Sequence, residues 1–423
     1  MLAVIVRLIV TLAIEAVPPE HTPGAVRLSS GLIWKDEAYY LENAYLFGQT
    51  ADTLTKMDVL NPYERVAGFY ALWILLLGDA MVWGRLINVF LGALTVVVLY
   101  DTLVRFIQKK SQYIAFWFLV SSPVLLHFSI VYLKENLLIL GLSLIINGIV
   151  KLNDRYSLLS QMFKLGAGFA ICMWVRNSSL FLLLLPLVLA IVTSKKTGKS
   201  GQSLSVPTFV LILVLFAALI GSVAAQPEKV IEMFGDLVYL QGAELLFQSA
   251  VALESGKVSI NFPFFESVME LSGLSRGLGL TFLLLLSPTI TSVYHLLPVL
   301  GNPDWYVFAV SAHAVSWWIC LPFVMYAIFG AIRTKDIWWL CWSVCLVLWI
   351  IFCANARYGA GYDAFRYRDS YVPVIMLLAA KGLNSTLYPV SAREAQVWKY
   401  ILRAYTVFVI TLILLAGIGV IGR

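Results

Sequence analysis

Four short stretches carry ionisable residues at spacings that suit chemistry. In "GLIWKDEAYYLENAYLFG", Gly31 to Gly48, the adjacent carboxylates Asp36 and Glu37 sit among five aromatic residues, Tyr39 included. A carboxylate at an apolar boundary can take a proton from an incoming hydroxyl as a general base. A pair of solvated loop charges is the plainer role, and spacing alone favours it. Lys134 and Glu135 open an otherwise apolar segment, "KENLLILGLSLIINGIV", where charges ordinarily snorkel or pair. Arg176 lies between two apolar runs, as at a hairpin tip. The densest group is "NARYGAGYDAFRYRDSYVP", Asn355 to Pro373, with Arg357, Arg366, Arg368, Asp363, Asp369 and four tyrosines. Guanidinium forks match phosphate oxygens in a way that Lys does not, whereas the two aspartates offer these arginines plain salt bridges. Arg85 and Arg276 each stand at the start of an apolar segment, where snorkelling is the common outcome.

The elements that must hold these residues follow from composition. The 423 residues are 60% hydrophobic and 13% charged, with mean hydropathy +0.85. A soluble chain has roughly 25% charged residues, so this is an all-α polytopic membrane protein. The net charge of +6 is spread in short runs between apolar segments. There it acts as a topology signal, and no nucleic-acid partner is expected. The five cysteines (Cys172, Cys320, Cys341, Cys345 and Cys353) are odd in number and lack CxxC spacing, which makes them small buried hydrophobes rather than disulfides or zinc ligands. Leu2 to Val17 has no clear small-residue cleavage site before Pro18 and Pro19, and is expected to be a retained anchor.

Apolar segments are read at 1–17, 66–79, 83–106, 113–131, 134–151, 164–176, 178–194, 205–225, 276–296, 307–331, 336–354, 371–388 and 400–421. The positive-inside rule places Arg105–Lys110, Lys151–Lys164, Lys195–Lys199, Arg333–Lys335 and Arg393–Arg403 on the cytoplasmic side. Parity then lets only one of 66–79 and 83–106, and one of 276–296 and 307–331, cross the bilayer. The short segment 66–79 and the segment broken by Ser287-Pro288 are expected to be interfacial or re-entrant. About eleven transmembrane helices remain, forming a single transmembrane domain over 1–423. Three outer loops result: 18–66 with the acid pair, 225–306 with the re-entrant or interfacial helix, and the Arg-rich 354–370.

The order of "DEAYY", "PYERVAGFYALWILLLG", "GRLINVFLGALTVVVLY", "SPVLLHFSIVYLKENLLIL", "WVRNSSLFLLLLPLVL" and "FRYRDSYVPVIMLLAAKGL" resembles the polytopic glycosyltransferases of the C-type fold. The nearest branch is that of protein O-mannosyltransferases and lipid A aminoarabinose transferases. The resemblance runs from about residue 30 to 384, with hydropathy alone matching over 200–350. It implies hexosyl or pentosyl transfer from a polyprenyl-phosphate donor to an acceptor hydroxyl on the outer face. A single displacement would invert the anomeric centre. It makes Asp36 the base, with Glu37 beside it, and matches the family's outer KE turn to Lys134 and Glu135. The family's late Arg-Pro stretch corresponds to Arg366, Arg368 and Pro373. Arg366, Arg368, Arg176 and Arg357 are thus the expected phosphate ligands, and Lys134, Glu135, Tyr39, Arg85 and Arg276 the expected site lining. No cofactor is expected, because no DxD-like cluster is present, although some relatives use a divalent cation. The expected partners are the donor lipid, a glycan, lipid or protein acceptor, and membrane lipids, at a bacterial inner membrane with the site facing the periplasm. No large carboxyl-terminal soluble domain is expected, unlike in better-known members, which leaves the acceptor open. Two rivals stand beside this reading: an oligosaccharide-repeat polymerase or ligase with a diphosphate donor, and a lipid or solute transporter with charges at discontinuous helices.

Overall fold

Inside a bilayer the backbone must bond to itself, and in this computed structural model the apolar runs among the described residues do so as helices. The structure describes residues 1–15, 26–28, 31–33, 35–48, 62–78, 81–152, 158–175, 183, 186–188, 271, 273–286, 305–357, 368–389 and 391–417. In chain order the elements are α1 (Leu2–Glu15), β1 (Val26–Leu28), β2 (Gly31–Ile33), α2 (Lys35–Gly48), α3 (Pro62–Leu77), α4 (Met81–Leu103), α5 (Gln112–Ser121), α6 (Pro123–Ile130) and α7 (Lys134–Lys151). They continue with α8 (Leu158–Val175), α9 (Gly273–Leu286), α10 (Trp305–Thr334), α11 (Ile337–Arg357), α12 (Val372–Leu387) and α13 (Ala392–Gly417). Among the described residues, five stretches are long and apolar enough to cross a membrane: Trp83–Leu103, Lys109–Ile130, Ser311–Thr334, Ile337–Ala354 and Ala392–Leu414. Among the described residues the chain is an all-α membrane protein apart from one small hairpin. It forms two compact units, Met1–Gly148 with Phe163–Leu180 and Leu297–Ala312, and Ile149–Met162 with Phe181–Leu296 and His313–Arg423.

In the first unit, part of the expected first outer loop is folded. Its antiparallel hairpin pairs Val26 with Ile33 and Leu28 with Gly31. The helix α2 follows because Tyr40, Ala44 and Gly48 recur every four residues, giving one buried face that packs on α3. Gly78, at φ +93°, ends α3 in the left-handed conformation that glycine adopts without steric cost. The segment read at 113–131 falls in the membrane-length stretch Lys109–Ile130 and is jointed at Ser122, because Pro123 has no N–H to continue the α5 ladder and starts α6. The helices α1, α4 and α6 meet at Gly92, where a Cβ would come within 1.9 Å of Ser129 Oγ. That close approach lets the buried Arg7 Nε donate to the same oxygen at 3.0 Å.

In the second unit, α9 packs on α11, and α11 on α12. The turn from α10 to α11 is written in Lys335 and Asp336. Lys335 takes φ +53°, its N–H bonding Ile332 O, while the Asp336 N–H reaches back to Ala331 O. Asp336 Oδ1 then accepts from the N–H groups of Trp338 and Trp339, capping α11. Pro322 inside α10 leaves the Trp318 carbonyl without its helical donor, and Tyr405 Oη of α13 donates to it at 2.6 Å. The last helix begins at Ala392, eight residues before the apolar run read at 400, because Ser391 Oγ accepts from the Glu394 N–H in the Ser-x-x-Glu cap pattern.

Candidate functional site

Four of the sequence-selected residues fall in two buried clusters: Arg85, Lys134 and Glu135 in the first unit and Arg368 in the second. In the first unit the chain breaks out of helix at Val131–Leu133, between α6 and α7, and the residues after the break are Lys134, Glu135 and Asn136. Lys134 is 6% exposed and Glu135 1%. Of the two ordinary outcomes for this pair, snorkelling and pairing, snorkelling is not the one seen: both side chains are enclosed by protein. Arg85 departs from expectation in the same way. Two residues into a membrane-length stretch, it turns inward, is buried, and donates from Nη1 to Ile130 O at 2.7 Å. Its guanidinium lies 5.2 Å from the centre of the Tyr132 ring. Gly84 makes room for that ring, since a Cβ there would fall 2.2 Å from Tyr132 Cε1.

Beside Arg85, the side chain of Asn88 joins three elements and the turn. Its Nδ2 donates to Val131 O at 2.8 Å, and its Oδ1 accepts from Tyr70 Oη at 3.1 Å and from Asn136 Nδ2 at 3.3 Å. Asn136 Nδ2 also reaches Asn88 O at 3.1 Å. Turn carbonyls that lack a helical donor are thereby bonded by side chains from α4, as burial requires.

Asp36, Glu37 and Tyr39 lie in the first turns of α2, and the description of these three residues covers their backbone. Two carboxylates at a helix amino terminus suit the macrodipole there. Arg176 and Arg366 lie outside the described residues. Arg357 ends α11, described by its backbone. Arg276, in the first turn of α9, folds back so that Nε donates to Leu271 O at 2.7 Å. Among the described residues, no three His, Cys, Asp or Glu side chains group as a metal site.

The second cluster surrounds Arg368. The sequence offers this residue as a loop cation for phosphate; the structure encloses it completely and gives it an internal anion. Its Nε donates to Asp369 Oδ1 at 2.6 Å and its Nη1 to Leu284 O at 2.8 Å, while the guanidinium stands 4.1 Å from the Trp317 ring centre. Trp317 Nε1 donates to Leu285 O at 2.7 Å. The last carbonyls of α9, which have no donor within the helix, are thus satisfied by a cation and an indole. Asp369 Oδ2 lies 2.7 Å from His313 Nδ1. Burial alone would raise the Asp369 pKa, but the nearby Arg368 and His313 outweigh it and hold the carboxyl below the usual range. Arg368 thus forms the salt bridge that the sequence offers as one of its two alternatives. Tyr371 stacks on Trp349 at 4.5 Å and ties the start of α12 to α11.

Residue type and spacing alone do not single out Asn88, Tyr70, Tyr132, His313 or Trp317. A usable signal existed for two of them: Asn88 is a lone amide three residues from Arg85, and His313 a lone imidazole four residues before Trp317. Each pair shares a helix face within an apolar run. All five cysteines are unpaired, and all but the half-buried Cys341 are buried. Comparison with protein families, with curated proteins and with solved structures finds no significant match for this chain.

Proposed function

We propose that the chain is a membrane glycosyltransferase of the C-type fold, with about eleven spans, that moves a hexosyl or pentosyl group from a polyprenyl phosphate to an acceptor hydroxyl. The setting is the outer face of a bacterial inner membrane. The observation that carries this reading is the burial of Lys134 and Glu135 beside a broken helix, in the unit that also holds Asp36 at the head of α2. Ionisable groups enclosed in a membrane bundle are costly, and their retention favours a functional role.

In the proposed reaction the acceptor oxygen attacks the anomeric carbon as the bond to phosphate breaks, inverting that centre. Asp36 takes the acceptor proton, and Glu37 shapes its surroundings. Polyprenyl phosphate leaves with its charge held by arginines, for which Arg366, Arg176 and Arg357 are the candidates. Arg368, the fourth arginine expected there, bonds Asp369 Oδ1 through Nε and Leu284 O through Nη1. The test is transfer by purified protein from a synthetic polyprenyl-phosphate hexose. Asp36→Asn should lower turnover by roughly 10²-fold or more with donor binding retained. Near-normal turnover would remove Asp36 from the mechanism. A diphosphate donor in the same assay separates the polymerase or ligase alternative.

A second reading, a lipid or solute transporter, draws on the same broken helix, because discontinuous segments with buried charges also line transport sites. Vesicle uptake of labelled polyprenyl phosphate without chemical turnover would favour it.

A further inference from the structure

We infer that Asn88 is the positioning residue of the turn 131–133 that leads into Lys134 and Glu135 at the head of α7, an inference that rests on the transferase reading of those two residues. Its hydrogen bonds reach Val131 on one side of the two ionisable residues and Asn136 on the other. Both ends of the stretch 131–136 are therefore tied to one amide, and Lys134 and Glu135 lie between the ties. Tyr70 bonds the same amide from α3, so that α3, α4 and α7 share one polar node. Arg85, one helical turn earlier on α4, holds the carbonyl of Ile130 just before the turn.

The chemistry of the amide explains the choice of residue. The node needs a donor toward Val131 O and an acceptor toward Tyr70 and Asn136, a pairing that Asp and Leu cannot supply. A buried amide in an apolar helix costs stability unless its atoms are bonded, and when bonded it selects one backbone arrangement over its neighbours. Apolar packing would hold two helices together as well. Fixing two charged side chains to a fraction of an ångström calls for directional bonds.

The test uses the full chain, purified in lipid nanodiscs, with Asn88→Leu, Asn88→Asp and Tyr70→Phe. Transfer from a synthetic polyprenyl-phosphate hexose gives kcat and donor KM, and tryptophan fluorescence gives the thermal midpoint. Displacing the turn by about 1 Å should lower kcat by about 10²-fold in Asn88→Leu. Donor KM should change by less than about threefold, because the lost positioning acts in the transition state. Tyr70→Phe removes one hydroxyl, folds normally and should lower kcat by about threefold. Separately, Lys134→Cys in a background lacking Cys341 should label with a small maleimide about tenfold faster when combined with Asn88→Leu or Asn88→Asp, because the turn then opens locally more often. Wild-type protein that transfers no sugar from any polyprenyl donor overturns the transferase reading, and the labelling rates still decide the positioning. Unchanged labelling, or Asn88 variants that keep kcat within about twofold while the wild type is active, overturns the role given to Asn88.

Discussion

Asp369→Asn is the substitution whose consequence the structure fixes best. Arg368 and Asp369 are 0% and 2% exposed, so water does not screen their attraction. The carboxylate receives Arg368 Nε at one oxygen and faces His313 Nδ1 at the other, at 2.6 and 2.7 Å. An asparagine of the same shape keeps one acceptor oxygen for Arg368. It loses the negative charge and presents an amide N–H₂ to the other partner. Breaking a buried pair by neutralising one member costs about 3–5 kcal/mol, because the remaining cation stays buried. With part of the bonding retained, the low end, about 3 kcal/mol, is expected. Replacing both charges, as Arg368→Met with Asp369→Asn, should recover most of that loss, leaving about 1 kcal/mol for the Leu284 carbonyl that no longer has its donor. The assay is equilibrium unfolding in mixed detergent micelles for wild type, both single variants and the double variant. A double variant as unstable as the sum of the singles would show that the two charges are not coupled, and would refute the argument. Acid supplies a second check. The folded Asp369 carboxyl titrates below its ordinary value, so its contribution is fully present above the unfolded pKa of about 3.9 and is lost as pH falls through the lower folded value. Acid unfolding of wild type should show this loss, and Asp369→Asn should lack it.

Further outcomes follow from single contacts. On the proposed transferase reading Arg366→Ala should raise donor KM, whereas Arg368→Ala should destabilise the fold; donor titration and unfolding on the same preparations separate the two. In Gly382→Ala the new Cβ would lie 1.9 Å from the Phe323 carbonyl oxygen, so α10 and α12 must move apart. A loss of about 1–3 kcal/mol is expected in the unfolding midpoint. Tyr405→Phe should cost about 1 kcal/mol by leaving the Trp318 carbonyl without a donor. Adding Pro322→Ala restores a helical N–H and should return most of that stability, which the same titration would read.

The membrane class and the helical character of this chain were legible in its sequence, because both depend on composition summed over long runs. The segment read at 336–354 appears as Ile337–Arg357 and that at 371–388 as Val372–Leu387, since an apolar run shielded from water leaves the backbone no partner but itself. Boundaries set by local chemistry were less visible. The Ser391–Glu394 cap extended α13 toward its amino terminus, and Pro123 split a run whose hydropathy is continuous. Side-chain direction was not legible at all. Arg85 and Lys134 each sit at the end of an apolar segment and Arg368 in the loop before one, where a charge reaches water at little cost, and sequence position favours that outcome. Tertiary structure turned all three inward. Partners distant in sequence supplied the carbonyls of Ile130 and Leu284, and the Trp317 ring; His313 joined from 56 residues away through Asp369. Whether a buried charge is tolerated depends on the geometry of those partners, which packing alone sets.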